Sequence, residues 1–148
     1  MWRNARFRAV IFLSVLAALC LWGCTGEQQQ AELAIVDSEF FIEQDGETSY
    51  VVNAEGTIRN TGQVDVRKAE VTGYCRSCGE KVIDGQWFVS EYEKMEHQKD
   101  VIDYLAAGSE ADFEFEEVAL CMVQKSRQPP EELPEDLEIS IASYEVAD

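Results

Sequence analysis

The chain has 148 residues, 46% of them apolar, and a formal net charge of −17. Such a charge repels phosphate backbones and anionic lipid surfaces, which excludes nucleic acid as a partner. The length suits one domain built on one core. The chain opens with a positive stretch carrying Arg3, Arg6 and Arg8, and then Ala9 to Trp22 is apolar except for Ser14. That run falls short of the ~20 residues a membrane-spanning helix needs. It fits the apolar region of a secretory signal.

The end of the run, Leu21-Trp22-Gly23-Cys24, resembles the lipobox of bacterial lipoproteins. The pattern is an aliphatic residue, a variable one, a small one and then cysteine. The resemblance implies a lipoprotein signal peptide over 1–23, diacylglycerol on the Cys24 thiol, cleavage before Cys24 and acylation (palmitate) of its new amine. Gly23 supplies the small residue, whereas Cys20 follows the large Leu19. Several acyl chains anchor a protein stably where one is marginal. A plain signal peptide and an uncleaved signal anchor are the competing readings. On the lipoprotein reading, residues 24–32 are the lipidated cysteine and a tether, and 33–148 form the domain. The protein is then extracytoplasmic and held to a membrane through Cys24. Thr25 stands where an aspartate retains Gram-negative relatives at the inner membrane, so the outer membrane is favoured in such a cell. Losing three arginines leaves the mature chain still more acidic.

Beyond the tether, apolar residues recur every second position. Leu33–Ile42 is rich in apolar and aromatic residues. In Tyr50–Asn60 (YVVNAEGTIRN), Val52, Ala54, Gly56 and Ile58 share one face, and Asn53, Glu55, Thr57 and Arg59 the other. This predicts a half-buried strand. Asn60-Thr61-Gly62 signals a turn. The next strand runs from Val64 to Cys75, with Ala69, Val71, Gly73 and Cys75 inward and Lys68, Glu70 and Thr72 outward. Its parity slips near Val66, which predicts a bulge. Lys81–Ser90 carries Trp87, Phe88 and Val89. Glu91–Lys99 is charged and reads as a helical turn or a long loop. Ala111–Val118 (ADFEFEEV) buries Phe113 and Phe115, and Leu137–Ile141 (LEISI) buries Leu137, Ile139 and Ile141. Asp45-Gly46, Asp84-Gly85 and Ala107-Gly108-Ser109 divide these runs. Gln128–Asp136 (QPPEELPED) holds all three prolines and reads as a loop. Short strands at this spacing predict an all-β fold, an antiparallel β-sandwich.

Gly56-Thr57-Ile58-Arg59-Asn60-Thr61-Gly62, followed by Val64–Val71, resembles the core of immunoglobulin-like envelope modules. The FxLYD domains of bacterial lipoproteins are the nearest such family. Leu105 to Phe113 is similar to their later turn and strand. The family's naming motif falls on Val71-Thr72-Gly73-Tyr74-Cys75, where Tyr74 matches. The resemblance covers residues 33–146. It implies an immunoglobulin-like sandwich with an extracytoplasmic interaction or support role, and another envelope protein as partner.

Lipidation of Cys24 leaves Cys75, Cys78 and Cys121 in an oxidising compartment. Three is odd, so one thiol stays unpaired within the monomer. Reading Cys75-Arg76-Ser77-Cys78-Gly79 as a hairpin turn brings positions 75 and 78 to disulfide range, about 5.5–6 Å between α-carbons. A bridge to Cys121 is the other pairing. The chain-entropy model gives about 2 kcal/mol for the short loop and about 4 kcal/mol for the long one. Both pairings stay open at this level.

A thiol-redox role for Cys75 and Cys78 requires a helix N-terminus to lower a thiol pKa, and no βαβ pattern surrounds them. A structural zinc site requires all of Cys75, Cys78, Cys121 and the single histidine, His97. A thiol-redox or metal-handling envelope protein is therefore the alternative reading. No serine nucleophile elbow, phosphate loop or paired-histidine zinc motif is present, and no cofactor is expected. By parity, Tyr74 and Phe88 face outward and form a candidate partner patch. The sequence thus points to a non-catalytic binding or scaffolding module.

Overall fold

Seven strands carry the fold of the computed structural model, which describes residues 30–89 and 93–148. They are β1 (Leu33–Gln44), β2 (Ser49–Asn60), β3 (Val66–Cys75), β4 (Trp87–Phe88), β5 (Lys99–Leu105), β6 (Glu110–Met122) and β7 (Leu137–Val146). A single 3-10 turn, Glu96–Gln98, precedes β5. Two antiparallel sheets form, ordered β1-β2-β6-β4 and β5-β3-β7. The predicted antiparallel β-sandwich is therefore the observed architecture, divided four and three as in constant-type immunoglobulin domains.

After the β1–β2 hairpin, each successive strand joins the opposite sheet. The inward positions of both sheets then meet in one core. Val52, Ala54 and Ile58 of β2, Ala69 and Val71 of β3, and Phe113, Phe115 and Val118 of β6 are all buried in it. Phe113 and Phe115 are two residues apart and share a face, with ring centroids 5.9 Å apart. Burying each such side chain is worth about 1.5–3 kcal/mol. Leu137, Ile139 and Ile141 cover the same core as expected, and Trp87 packs against its edge.

The sheet assignment corrects four expectations. Cys75-Arg76-Ser77-Cys78-Gly79 does not turn a hairpin, because β3 and β4 lie in different sheets; it begins a crossover. Of the described residues 81–89, Trp87–Phe88 alone is strand. Asn53, expected outward, is 4% exposed. Three residues of β6, Glu116 to Val118, lie opposite the single Asn53 between the pairs Val52–Ala119 and Ala54–Phe115. This bulge folds over the Asn53 amide, which donates to Glu43 Oε2 at 2.8 Å and accepts from the Glu117 N–H at 3.1 Å. Thr72, also expected outward, is buried because the connection to β5 crosses it, and its hydroxyl donates to the Gln98 carbonyl at 2.7 Å. The bulge predicted near Val66 lies between Arg67 and Val71 on the β7 side, with Lys68 at φ 48°.

Candidate functional site

The two ends of the sandwich are built differently. At one end, residues 30–32 lead into β1 past the β2–β3 turn. The N–H groups of Thr61 and Gly62 donate to the Glu32 carbonyl at 2.8 and 3.1 Å, and that of Gln63 to the Gln30 carbonyl at 3.1 Å. A β-carbon on Gly62 would lie 2.5 Å from the Gln30 carbonyl oxygen and the Glu32 nitrogen. Glycine is what lets the two backbones pass. Asn60, fully buried, ties the turn from within. Its amide donates to the Val64 and Leu105 carbonyls at 2.8 and 3.1 Å, and its side-chain oxygen accepts from the Gly62 N–H at 3.0 Å. Beside it, Asp65 accepts from the Tyr104 hydroxyl and the Ala107 N–H. These two donors hold the Asp65 carboxyl below its usual range, and the same bond raises the Tyr104 phenol.

At the opposite end, two long connections pack against each other: residues 76–86 and residues 123–136. Cys75 and Cys78 are disulfide-bonded, with α-carbons 5.5 Å apart. The local pairing is thus the one formed, and Cys121 is a buried free thiol. Burial, followed by the charge of Asp84, pushes the Cys121 thiol up. The disulfide-closed turn grips the proline-rich loop. The Arg76 N–H donates to the Asp136 carbonyl at 3.0 Å, and the Ser77 hydroxyl donates to the Glu135 carbonyl. The Trp87 indole donates to the Glu132 carbonyl at 3.2 Å. On the other flank, Gly85 at φ 75° closes the Asp84-Gly85 turn and donates to the Met122 carbonyl at 2.8 Å. Arg127 pairs with Asp84 at 3.0 Å.

This end leaves aliphatic side chains in solvent. Val82 is 60% exposed, Ile83 48%, Met122 42% and Leu133 40%. The sequence contained a signal for them: a Val-Ile pair directly before a turn dipeptide, and a leucine inside an acidic, proline-rich loop. Only the placement of β4 leaves Val82 and Ile83 outside.

The other expected site residues are spread over the molecule. Tyr74 is on β3 of the three-stranded sheet and Phe88 on β4 of the four-stranded one, so they do not join in one patch. Tyr74 is exposed and lies under the Lys94 ammonium, 5.1 Å from the ring centre. That ammonium donates to the Gly73 carbonyl at 2.8 Å, and burial lowers its pKa, partly offset by the charge of Glu117. His97 contacts Glu117 at 3.0 Å. Glu117 sits at the β6 bulge at φ 57°, and the Gln98 amide donates to its carboxylate at 3.2 Å. A groove of about 290 Å³ beside it is lined by His97, Asn53 and four acidic residues. A larger groove, about 560 Å³, has six acidic residues along it, among them Asp37, Asp100 and Asp112. No group of three or more His, Cys, Asp or Glu side chains among the described residues is arranged to hold a metal ion. Cys75 ends a strand, so no helix dipole bears on its sulfur. The lipobox Leu21–Cys24 lies outside the described residues.

Comparison with protein-family models, curated proteins and solved structures finds no match.

Proposed function

We propose that this protein is an extracytoplasmic lipoprotein, anchored to a bacterial membrane through Cys24, whose sandwich is a non-catalytic binding or scaffolding module. The observation that carries the reading is the polarity of the domain. The chain from Cys24 reaches the sandwich at Gln30–Glu32, against the β2–β3 turn. The disulfide-tied connections sit at the other end of β2 and β3. Six residues of tether span at most about 20 Å, at about 3.4 Å per residue. The twelve residues of β2 hold the two ends about 40 Å apart, at about 3.4 Å per residue. A chain anchored at Cys24 therefore presents the loop end away from the bilayer.

The test is metabolic labelling with palmitate in the source cells. The expected result is label in the full chain and none in Cys24→Ala, which should also leave the membrane fraction. Label that persists in Cys24→Ala, or never enters the wild-type chain, rejects the anchor.

A further inference from the structure

We infer that the loop end, through Val82, Ile83, Met122 and Leu133, docks a protein partner whose contacting surface is basic with apolar side chains among the charges. This deepens the binding-module reading above and rests on it. The exposed apolar residues elsewhere are on other elements. Tyr104 and Tyr144 carry hydroxyls that are bonded, to Asp65 and to the Ala31 carbonyl. Val36, Val101 and Val146 are on β1, β5 and β7, and Met95 precedes the 3-10 turn. The four side chains at the loop end have no N–H or O–H group; Val82, Ile83 and Leu133 sit on two connections that are fastened together, and Met122 ends β6 beside them. Gly85 is bonded to Met122, Trp87 to Glu132, and Arg76 to Asp136. Solvated aliphatic side chains on a fastened scaffold lose little conformational entropy when covered, which favours binding there.

Charge selects the occupant. Glu131, Glu132 and Glu135 flank Leu133, are exposed, and have side chains without an ion pair among the described residues. Arg76 is engaged with Glu138 at 2.6 Å, Lys125 with Glu47 at 2.5 Å, and Arg127 with Asp84. Lys81, exposed beside Val82, has no ion pair among the described residues and offsets one of the three carboxylates, leaving the surface acidic. An acidic or anionic surface meets uncompensated carboxylates here and is repelled. A basic surface is attracted, and its apolar residues cover the aliphatic ones. A second copy of this chain carries the same negative charge and is disfavoured for that reason.

The test places the photo-cross-linker benzoylphenylalanine at position 83 or 133 of the full chain in its own cells, with position 101 on β5 as control. The expected result is one protein adduct from 83 and 133, absent from 101, with lysine or arginine at the cross-linked segment. Replacing Glu131, Glu132 and Glu135 together by Gln should lower its yield about tenfold, in line with loss of a complementary charged rim. Unchanged circular dichroism of that variant keeps the result independent of folding. An adduct the size of two copies of this chain overturns the proposal, as does a lipid adduct, an equal yield at 101, or none at either loop position. Palmitate labelling of the same cells separates the two readings. An anchored chain without adducts removes the docking surface and keeps the anchor. Adducts on an unlabelled chain do the reverse.

Discussion

The two ends of this sandwich do opposite things with similar material. At the Asn60 end, backbone donors and one buried asparagine satisfy one another, the Tyr104 hydroxyl is bonded, and Val146 is the aliphatic residue left exposed beside Val66. At the loop end, a disulfide and a few side-chain bonds hold irregular backbone in place and leave aliphatic groups in water. The difference follows from the physical demands. Where backbone carbonyls close around a buried side chain such as Asn60, each unpaired buried group costs about 1–3 kcal/mol, so the hydrogen bonds must close. Where the backbone is solvated, water does that work, and the chain is free to display side chains.

That comparison is open to attack by mutation. The largest effect should come from Asn60→Ala, which removes the donor to the Val64 and Leu105 carbonyls, while the Gly62 N–H keeps the Glu32 carbonyl. We expect a loss of about 3 kcal/mol in urea unfolding, from these two carbonyls. A loss under about 1 kcal/mol would mean water enters that end, and the contrast between the ends fails. Next is the disulfide. Replacing Cys75 and Cys78 together by Ser should cost about 2 kcal/mol, the chain-entropy value for so short a loop. It should also loosen the 132–136 segment. Trp87, the only tryptophan after residue 22, should then shift its emission to the red, while amide exchange at the Asn60 turn stays protected. If protection falls at both ends alike, they are not independent. Ser77→Ala should cost about 1 kcal/mol or less, since only one exposed bond to the Glu135 carbonyl is lost.

The smallest effect concerns pH. The Asp65 carboxyl is held low by Tyr104 and Ala107. Its folded pKa lies below its unfolded one, so its stabilisation is fully present above the unfolded value, near 4. It is lost as pH falls through the lowered folded value. Asp65→Asn should therefore flatten the acid limb of stability below about pH 4, measured by unfolding midpoints across pH, by lowering stability at neutral pH and leaving it nearly unchanged in acid. An acid limb that keeps its slope would mean another carboxylate drives it.

How much of this was legible beforehand differs by residue. Val52, Ala54 and Ile58, like Phe113 and Phe115, could be placed inward from the text alone, because strand side chains alternate with period two. Asn60-Thr61-Gly62 was readable as a turn from its chemistry. Asn53 and Thr72 face away from the core as parity says, yet are buried rather than solvated for one shared reason. Each does point away from the core, but another segment crosses over it, the β6 bulge in one case and the 93–98 connection in the other. The candidate patch of Tyr74 and Phe88 failed to assemble because parity says which face of a strand a residue is on, not which sheet the strand joins.

Local periodicity and turn chemistry act over a few residues, so the sequence by itself determined the all-β class, the inward positions and the turn at Asn60. The partner of Cys75, the burial of Cys121, the bulge at Glu117 and the exposure of Val82, Ile83 and Leu133 were decided only in the tertiary structure. Each depends on which strands, distant in the chain, lie side by side, and that is set by the packing of two whole sheets rather than by any neighbouring residues.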